Sequence, residues 1–156
     1  MIRRMHLQDM YQARQLLEVQ RSAYLIEAEM IGSFDIPPLH EDMETLQQSG
    51  ETFYGYWVEE VLAGAISYKR MSSILDIHRL VVHPAYFRRG IGKTLVQFVE
   101  QVEDGIETII VSTGAKNVPA KRLYTQLGFV EKKEEEVIPG LLISLFEKNI
   151  IPASNQ

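Results

Sequence analysis

The chain has 156 residues, 46% hydrophobic and 24% charged, with 16 Lys and Arg against 21 Asp and Glu for a formal net charge of −5; this predicts one soluble globular domain, residues 1–156, with a single core. The acidic balance argues against a nucleic-acid partner and suits a basic or amine-bearing substrate. The absence of cysteine removes disulfides, thiolate metal sites and any acyl-cysteine intermediate on this chain, so a ping-pong route through its own thiol is excluded.

No apolar run approaches bilayer length, and the opening Met1-Ile2-Arg3-Arg4-Met5-His6 lacks the apolar segment of a signal peptide, so the expected location is the cytoplasm, with no membrane partner. Ile2 to Met5 reads as a short strand. Asp9 caps a long helix with Leu16, Leu17, Val19, Ala23, Tyr24 and Ile26 at its apolar positions, ending near Gly32. Ser33 to Leu39, with Pro37 and Pro38, reads as a loop, and His40 to Gln48 as a second helix closing at Gly50. Thr52 to Val58 and Val61 to Lys69 flank Glu59-Glu60 as a hairpin, and Ile74 to Val82 forms the next strand, ended by Pro84.

Between that strand and the next helix stands Arg88-Arg89-Gly90-Ile91-Gly92-Lys93. The apolar spacing of Ile91, Leu95, Phe98, Val99 and Val102 sets the glycines where a loop enters a helix, and there free backbone N–H groups and the positive end of the helix dipole collect. Glycine tolerates positive φ and lets a phosphate approach the main chain, while Arg88, Arg89 and Lys93 add charge. The residues do not fit a Walker loop, and position 95 is Leu where a dinucleotide fingerprint needs its third glycine. Farther on, Thr108 to Ser112 reads as a buried central strand. Asn117 to Gln126 reads as a short helix with Asn near the cap, Pro119 in the first turn and Gly128 at its end. Val130 to Ile138 and Leu141 to Glu147 pair across Pro139-Gly140, and the mixed charges of Glu131 to Glu136 read as a solvated edge. His6, His40 and His83 lack ligand spacing, so no metal is expected.

Val82-x-Pro84, Arg89-Gly90-Ile91-Gly92, Asn117-x-x-Ala120-x-x-Leu123-Tyr124 and Gly128-Phe129, in that order, resemble the acyl-CoA site of the GNAT superfamily of N-acetyltransferases. The resemblance covers roughly residues 52 to 148 well, and the first fifty in layout. One departure is Phe87, where the family usually has Gln or Arg; Arg88 is placed to supply the missing cation. The resemblance implies a mixed α/β fold of about seven mostly antiparallel strands and about four helices, with a V-shaped splay that receives CoA. Acetyl-CoA is then the co-substrate, a primary amine of a small molecule or peptide the acceptor, and a homodimer an open arrangement. Leu80, Val81 and Val82 would meet the pantetheine through main-chain groups, with an oxyanion donor near Val82. Arg88 to Lys93 would hold the pyrophosphate, and Asn117 and Tyr124 would contact the pantetheine.

Acetyl transfer to an amine needs a proton acceptor for the ammonium, an oxyanion donor and a proton for the departing thiolate. Tyr124 is the implied acid. Strand alternation places Asp76, His78, Leu80 and Val82 on one face, and Asp76 stands six before Val82, where several GNAT members carry a basic Glu. His78 competes with it as base, and Asp76 could instead pair with Arg79 or Lys69. Asn117 could equally serve as a cap bonding the amide of Ala120. Glu27, Glu29 and Asp35 lie in the segment that the resemblance sets beside the acceptor. The alternative to an enzyme is a CoA-binding regulatory or structural module that keeps the cradle without catalysis.

Overall fold

The computed structural model describes residues 1–150. In chain order the elements are β1 (Ile2–Arg4), α1 (Met10–Ile31), a 3-10 turn at Pro37–His40, α2 (Met43–Gln47), β2 (Thr52–Val58), β3 (Val61–Met71) and β4 (Ile74–Val82). A second 3-10 turn at Pro84–Tyr86 leads to α3 (Ile91–Val102), β5 (Thr108–Gly114), α4 (Val118–Gln126), β6 (Val130–Ile138) and β7 (Leu141–Asn149). The strands form one seven-stranded sheet in the order β1-β2-β3-β4-β5-β7-β6. Among the described residues only β4 and β5 run parallel, which gives the expected mixed architecture.

Local chemistry sets the helix ends. The Asp9 carboxylate accepts the Tyr11 amide at 2.9 Å, and Gly32 closes α1 at φ 74° while its N–H returns to the Ala28 carbonyl, a left-handed stop that a Cβ would strain. The buried face of α1, including Ala13, Leu16 and Leu17, packs with Leu46, Phe53, Trp57, Ala65 and Val81 on one side of the sheet. On the other side, Leu95 and Val99 of α3 and Tyr124 of α4 pack with Ile66, Tyr68, Leu75, Ile109 and Phe146 of the sheet. Each such large side chain contributes about 1.5–3 kcal/mol on burial, so the sheet is clamped between two apolar layers.

The structure differs from the sequence reading in two places that matter for the site. The helix expected over His40 to Gln48 is split: the Pro37–His40 turn comes first and Glu41 is extended. α2 then starts at Met43 under Asp42, whose carboxylate accepts the Thr45 amide at 2.8 Å. Glu41 leaves the helical path because its carboxylate turns inward to Arg79.

The second difference lies in β4. Tyr68 stands opposite Ile77 and Ser67 opposite Arg79, leaving His78 as an extra residue. This bulge resets the two-residue period. Leu75 and Ile77 before it, and Leu80 and Val82 after it, all belong to the α3 side, whereas Val81 belongs to the α1 side. Asp76 therefore does not share a face with Leu80 and Val82, as simple alternation required.

β4 and β5 hold register only from Ile74↔Thr108 to Ile77↔Val111. Beyond that point they part, while β5 stays paired with β7 as far as Gly114↔Ile143. β6 forms the far edge and is exposed along its length, in keeping with its charges.

Candidate active site

A cavity of about 830 Å³ opens where β4 and β5 separate. α1 supplies Tyr24 and Glu27 to its wall, the Pro37 turn supplies Pro37 and Pro38, and β4 supplies His78 to Val82. The glycine turn, the end of β5, the first face of α4 and the β6–β7 hairpin complete it.

The main chain of β4 offers donors to this space. The His83 amide donates to the Ala63 carbonyl on β3 at 2.8 Å. Because successive amides of an extended strand alternate in direction, those of Val82 and Leu80 face the opposite way, into the splay. No strand of the described residues pairs with that edge beyond Ile77. An acyl group or pantetheine amide laid along it meets donors already held in place.

The glycine turn forms the second part. Arg88 and Gly90 both have positive φ, 65° and 74°, and Gly90 is the N-cap of α3 without a side-chain cap. The first-turn amides of Ile91, Gly92 and Lys93 thus remain for an anion at the positive end of a 12-residue helix. A Cβ built on Gly90 meets no protein atom within 4 Å, so the glycine is required by its backbone angle and by whatever approaches from outside. Gly92 is different: its Cβ would touch Leu123 Cδ2 at 3.4 Å, ordinary packing contact. Arg88, Ile91 and Lys93 line the cavity, as does Phe87. Arg89 does not; its guanidinium lies over the Tyr86 ring at 5.1 Å. Arg122 of α4 adds a cation to the wall that sequence reasoning had not singled out.

Tyr124 is buried at 4% exposure yet borders the cavity. Its ring packs against Phe129 and Phe146, with centroids 5.5 and 5.8 Å away. The packing role and the cavity-facing role are therefore both real. Burial and then the nearby Glu27 carboxylate raise its pKa well above the usual phenol value, so the hydroxyl keeps its proton through the neutral range. Tyr24, which the sequence offered only as an apolar helix position, borders the same space. Burial first, then Glu27, raises its pKa in the same way.

Asn117 does what a cap does: its Oδ1 accepts the Ala120 amide at 3.2 Å. Its Nδ2 donates to Glu27 Oε1 at 2.9 Å, and Thr113 Oγ1 donates to the same oxygen at 3.2 Å. Asn117 borders the cavity, but both ends of its amide already have protein partners. It acts on the site through Glu27 and the start of α4.

The two base candidates separate. His78 borders the cavity and Asp76 does not. The His78 ring lies between carboxylates, Nε2 at 3.3 Å from Asp76 and Nδ1 at 3.5 Å from Glu51. Asp76 therefore pairs with His78, and Arg79 is engaged elsewhere. Its Nε donates to Glu51 Oε1 at 2.8 Å and Nη2 to Glu51 Oε2 at 3.1 Å. Nη1 donates to Gln20 Oε1 at 2.8 Å and to Glu41, which Nη2 also reaches at 3.1 Å. Burial pushes the Glu51 carboxyl up, but hydrogen bonds from Arg79 and Ser67, with the charges of Arg79 and His78, more than offset this and leave it below the usual range. Gln20 also donates to the Pro38 carbonyl at 2.9 Å, so the network ties the proline turn of the cavity wall to β4. Nothing in the spacing of Gln20, Glu41, Glu51 and Arg79 announces this cluster, since it forms only where α1, β4 and the loops before α2 and β2 come together.

Among the described residues no His, Asp and Glu group has the arrangement to hold a metal ion, and no helix is long and apolar enough to cross a membrane. A sheet opened between its parallel strands, beside an uncapped glycine-led helix, is the frame of an acyl-CoA-handling fold. The sequence profile of the Acetyltransferase (GNAT) family matches residues 13–129, and the chain belongs to that family. It is 46% identical over 134 residues to the UPF0157 protein YqkA of Bacillus subtilis (strain 168), covering 86% of this chain and 39% of that one. It is 27% identical over 109 residues to the N-acetylaspartate synthetase of Xenopus tropicalis, covering 66% of this chain and 40% of that one. The chain thus spans about two fifths of the length of these curated relatives. Its fold is that of the PaiA N-acetyltransferase from Thermoplasma acidophilum, solved in complex with coenzyme A, with a TM-score of 0.76 at 23% identity over 96% of this chain and 98% of that one.

Proposed function

We propose that the chain is an N-acetyltransferase that moves an acetyl group from acetyl-CoA directly to a primary amine. The observation that carries this reading is the β4–β5 splay opening beside the uncapped start of α3, with the Tyr124 phenol bordering the same cavity. First-turn amides, Arg88 and Lys93 would hold the pyrophosphate. The Leu80 and Val82 amides would align the pantetheine and receive the developing oxyanion. The CoA complex of the Thermoplasma relative supports that choice of co-substrate.

In this scheme the acceptor nitrogen attacks the thioester carbon, the C–S bond breaks, and Tyr124 gives its proton to the departing sulfur. It regains one from the new amide nitrogen. Its raised pKa keeps the donor in its protonated form at neutral pH. His78, which borders the cavity, is the candidate to accept the ammonium proton before attack, directly or through water. We place the protein in the cytoplasm on the same reading. The test is an acceptor screen with acetyl-CoA and a panel of amines and peptides, following free thiol. Acetyl-CoA-dependent release with at least one acceptor is the expected result; binding of acetyl-CoA with no acetylation across the panel would instead favour a CoA-binding module without catalysis.

A further inference from the structure

Among the side chains bordering the cavity in the described residues, Glu27 supplies the one carboxylate. Of the cations of the wall, Arg88, Lys93 and Arg122 come from the glycine turn and α4, the side suited to phosphates, while Arg79 of β4 is already engaged by Glu41 and Glu51. Glu27 comes from α1 and is held by Thr113 near the end of β5 and by Asn117 at the cap of α4. Both of its hydrogen bonds use Oε1, from the neutral donors Thr113 and Asn117. Among the described residues neither a salt bridge nor a further hydrogen bond engages Oε2. A half-buried carboxylate with one oxygen fixed by neutral donors leaves its other oxygen for a ligand's donor. It also sits close enough to Tyr124 and Tyr24 to raise both phenols, which places it beside the proposed acid.

We propose that Glu27 is the docking group for the acceptor's ammonium, and that the acceptor is a monocationic primary alkylamine with an aliphatic body. This rests on the acetyltransferase reading above. The second half of the assignment comes from the rest of the wall. Met30, Ile36, Pro37 and Pro38 stand on the side of α1 and its following turn, and Val137 and Leu141 on the β6–β7 hairpin. These groups accept methylene surface and give a second cation no counter-charge inside the cavity. Once the amine is neutral, an N–H donated to Oε2 also fixes the direction of its lone pair. Glu27 is then a specificity-determining residue, and Thr113 and Asn117 are positioning residues that act through it.

The experiment is a protein-observed NMR titration of the full chain, saturated with CoA, using n-hexylamine, 1,6-diaminohexane and 1-hexanol as probes. For wild type, hexylamine should bind about tenfold or more tightly than hexanol, and the diamine should bind more weakly than hexylamine. Glu27→Gln keeps an oxygen for Thr113 and Asn117, so it should leave the melting temperature and CoA affinity nearly unchanged while bringing hexylamine down to the affinity of hexanol. Equal binding of amine and alcohol to wild type overturns the proposal without any variant, as does a Glu27→Gln protein that retains the preference. A diamine that binds as tightly as hexylamine overturns the aliphatic assignment. CoA affinity is measured separately by calorimetry. If CoA does not bind, the acetyltransferase reading falls, while the amine-versus-alcohol comparison on the protein alone still decides the role of Glu27.

Discussion

Arg79→Met is the sharpest test of how the proline-turn side of the cavity is held. Methionine fills the space of the arginine stem but removes the guanidinium that is shared by Glu41, Glu51 and Gln20. Two carboxylates with side chains only 11% and 6% exposed are then left without their cation. Removing one partner of a buried ion pair costs about 3–5 kcal/mol. For a chain of this size that corresponds to a melting temperature lower by roughly 6–20 °C. The pH dependence identifies the cause. In the wild type Glu51 lies below its ordinary carboxylate range, so its contribution is present above the unfolded pKa and is lost as pH falls through the folded one. Without Arg79, burial, the largest influence, is opposed only by the Ser67 hydrogen bond and the His78 charge, so the Glu51 carboxyl moves up, its charged form is less well supported at neutral pH, and acidification relieves part of the cost. Thermal unfolding at pH 7 and near pH 5 should therefore show a smaller deficit at the lower pH. A loss under about 1 kcal/mol at pH 7, or an equal loss at both pH values, would refute the buried-network argument. Combining Arg79→Met with Glu41→Gln and Glu51→Gln should recover much of the stability.

Tyr124→Phe keeps the ring against Phe129 and Phe146 and removes the acidic proton, so kcat should fall about 10- to 1000-fold with acetyl-CoA affinity little changed; equal losses of affinity and melting temperature would assign the residue to packing alone. Gly90→Ala should cost roughly 1 kcal/mol of stability because φ is 74°, and Gly90→Val more. Since a Cβ there meets no protein atom within 4 Å, any loss of CoA affinity in calorimetry beyond that strain reports the ligand, and unchanged affinity in both variants would remove the phosphate cradle. Tyr24, Tyr68 and Tyr124 all have folded pKa values raised by burial. Their share of stability is complete below the unfolded phenol value of about 10 and is lost as pH climbs from there towards the folded values; a denaturation midpoint that stays flat between about pH 9.5 and 11 would contradict that burial.

The element order was legible because its signals are local. Asp9 and Gly32 bracket α1 by their own side chain and backbone angle, Gly90 marks the entry to α3, and the charges of β6 declare an edge. The glycine turn before α3 was readable for the same reason. What escaped the sequence was geometry made by pairing. The bulge at His78 exists only because β3 and β4 differ by one residue between Ser67–Arg79 and Tyr68–Ile77, and it breaks the alternation that had put Asp76 with Leu80 and Val82. Arg89 had the same composition signal as Arg88 but is drawn to Tyr86. Tyr24 looked like an ordinary helix residue, and Glu27 stood no further out than Glu29 and Asp35, until the end of α1 was laid over β5, where Gly114 leaves room for Ile31: a Cβ there would come within 2.9 Å of Ile31 Cγ2.

Asn117 joins two parts of the molecule that serve different substrates in the proposed reaction. One end of its amide starts the helix carrying Tyr124, and the other holds the carboxylate of α1. A ligand that pulls on Glu27 must therefore also act on the first turn of α4, and a ligand that settles that turn must change how firmly Glu27 is held. Linkage makes the exchange symmetric: whatever factor CoA contributes to amine affinity, the amine returns to CoA affinity. In the proposed reaction the two substrates would thus be coupled, before any chemistry begins, across one side-chain amide and its two hydrogen bonds.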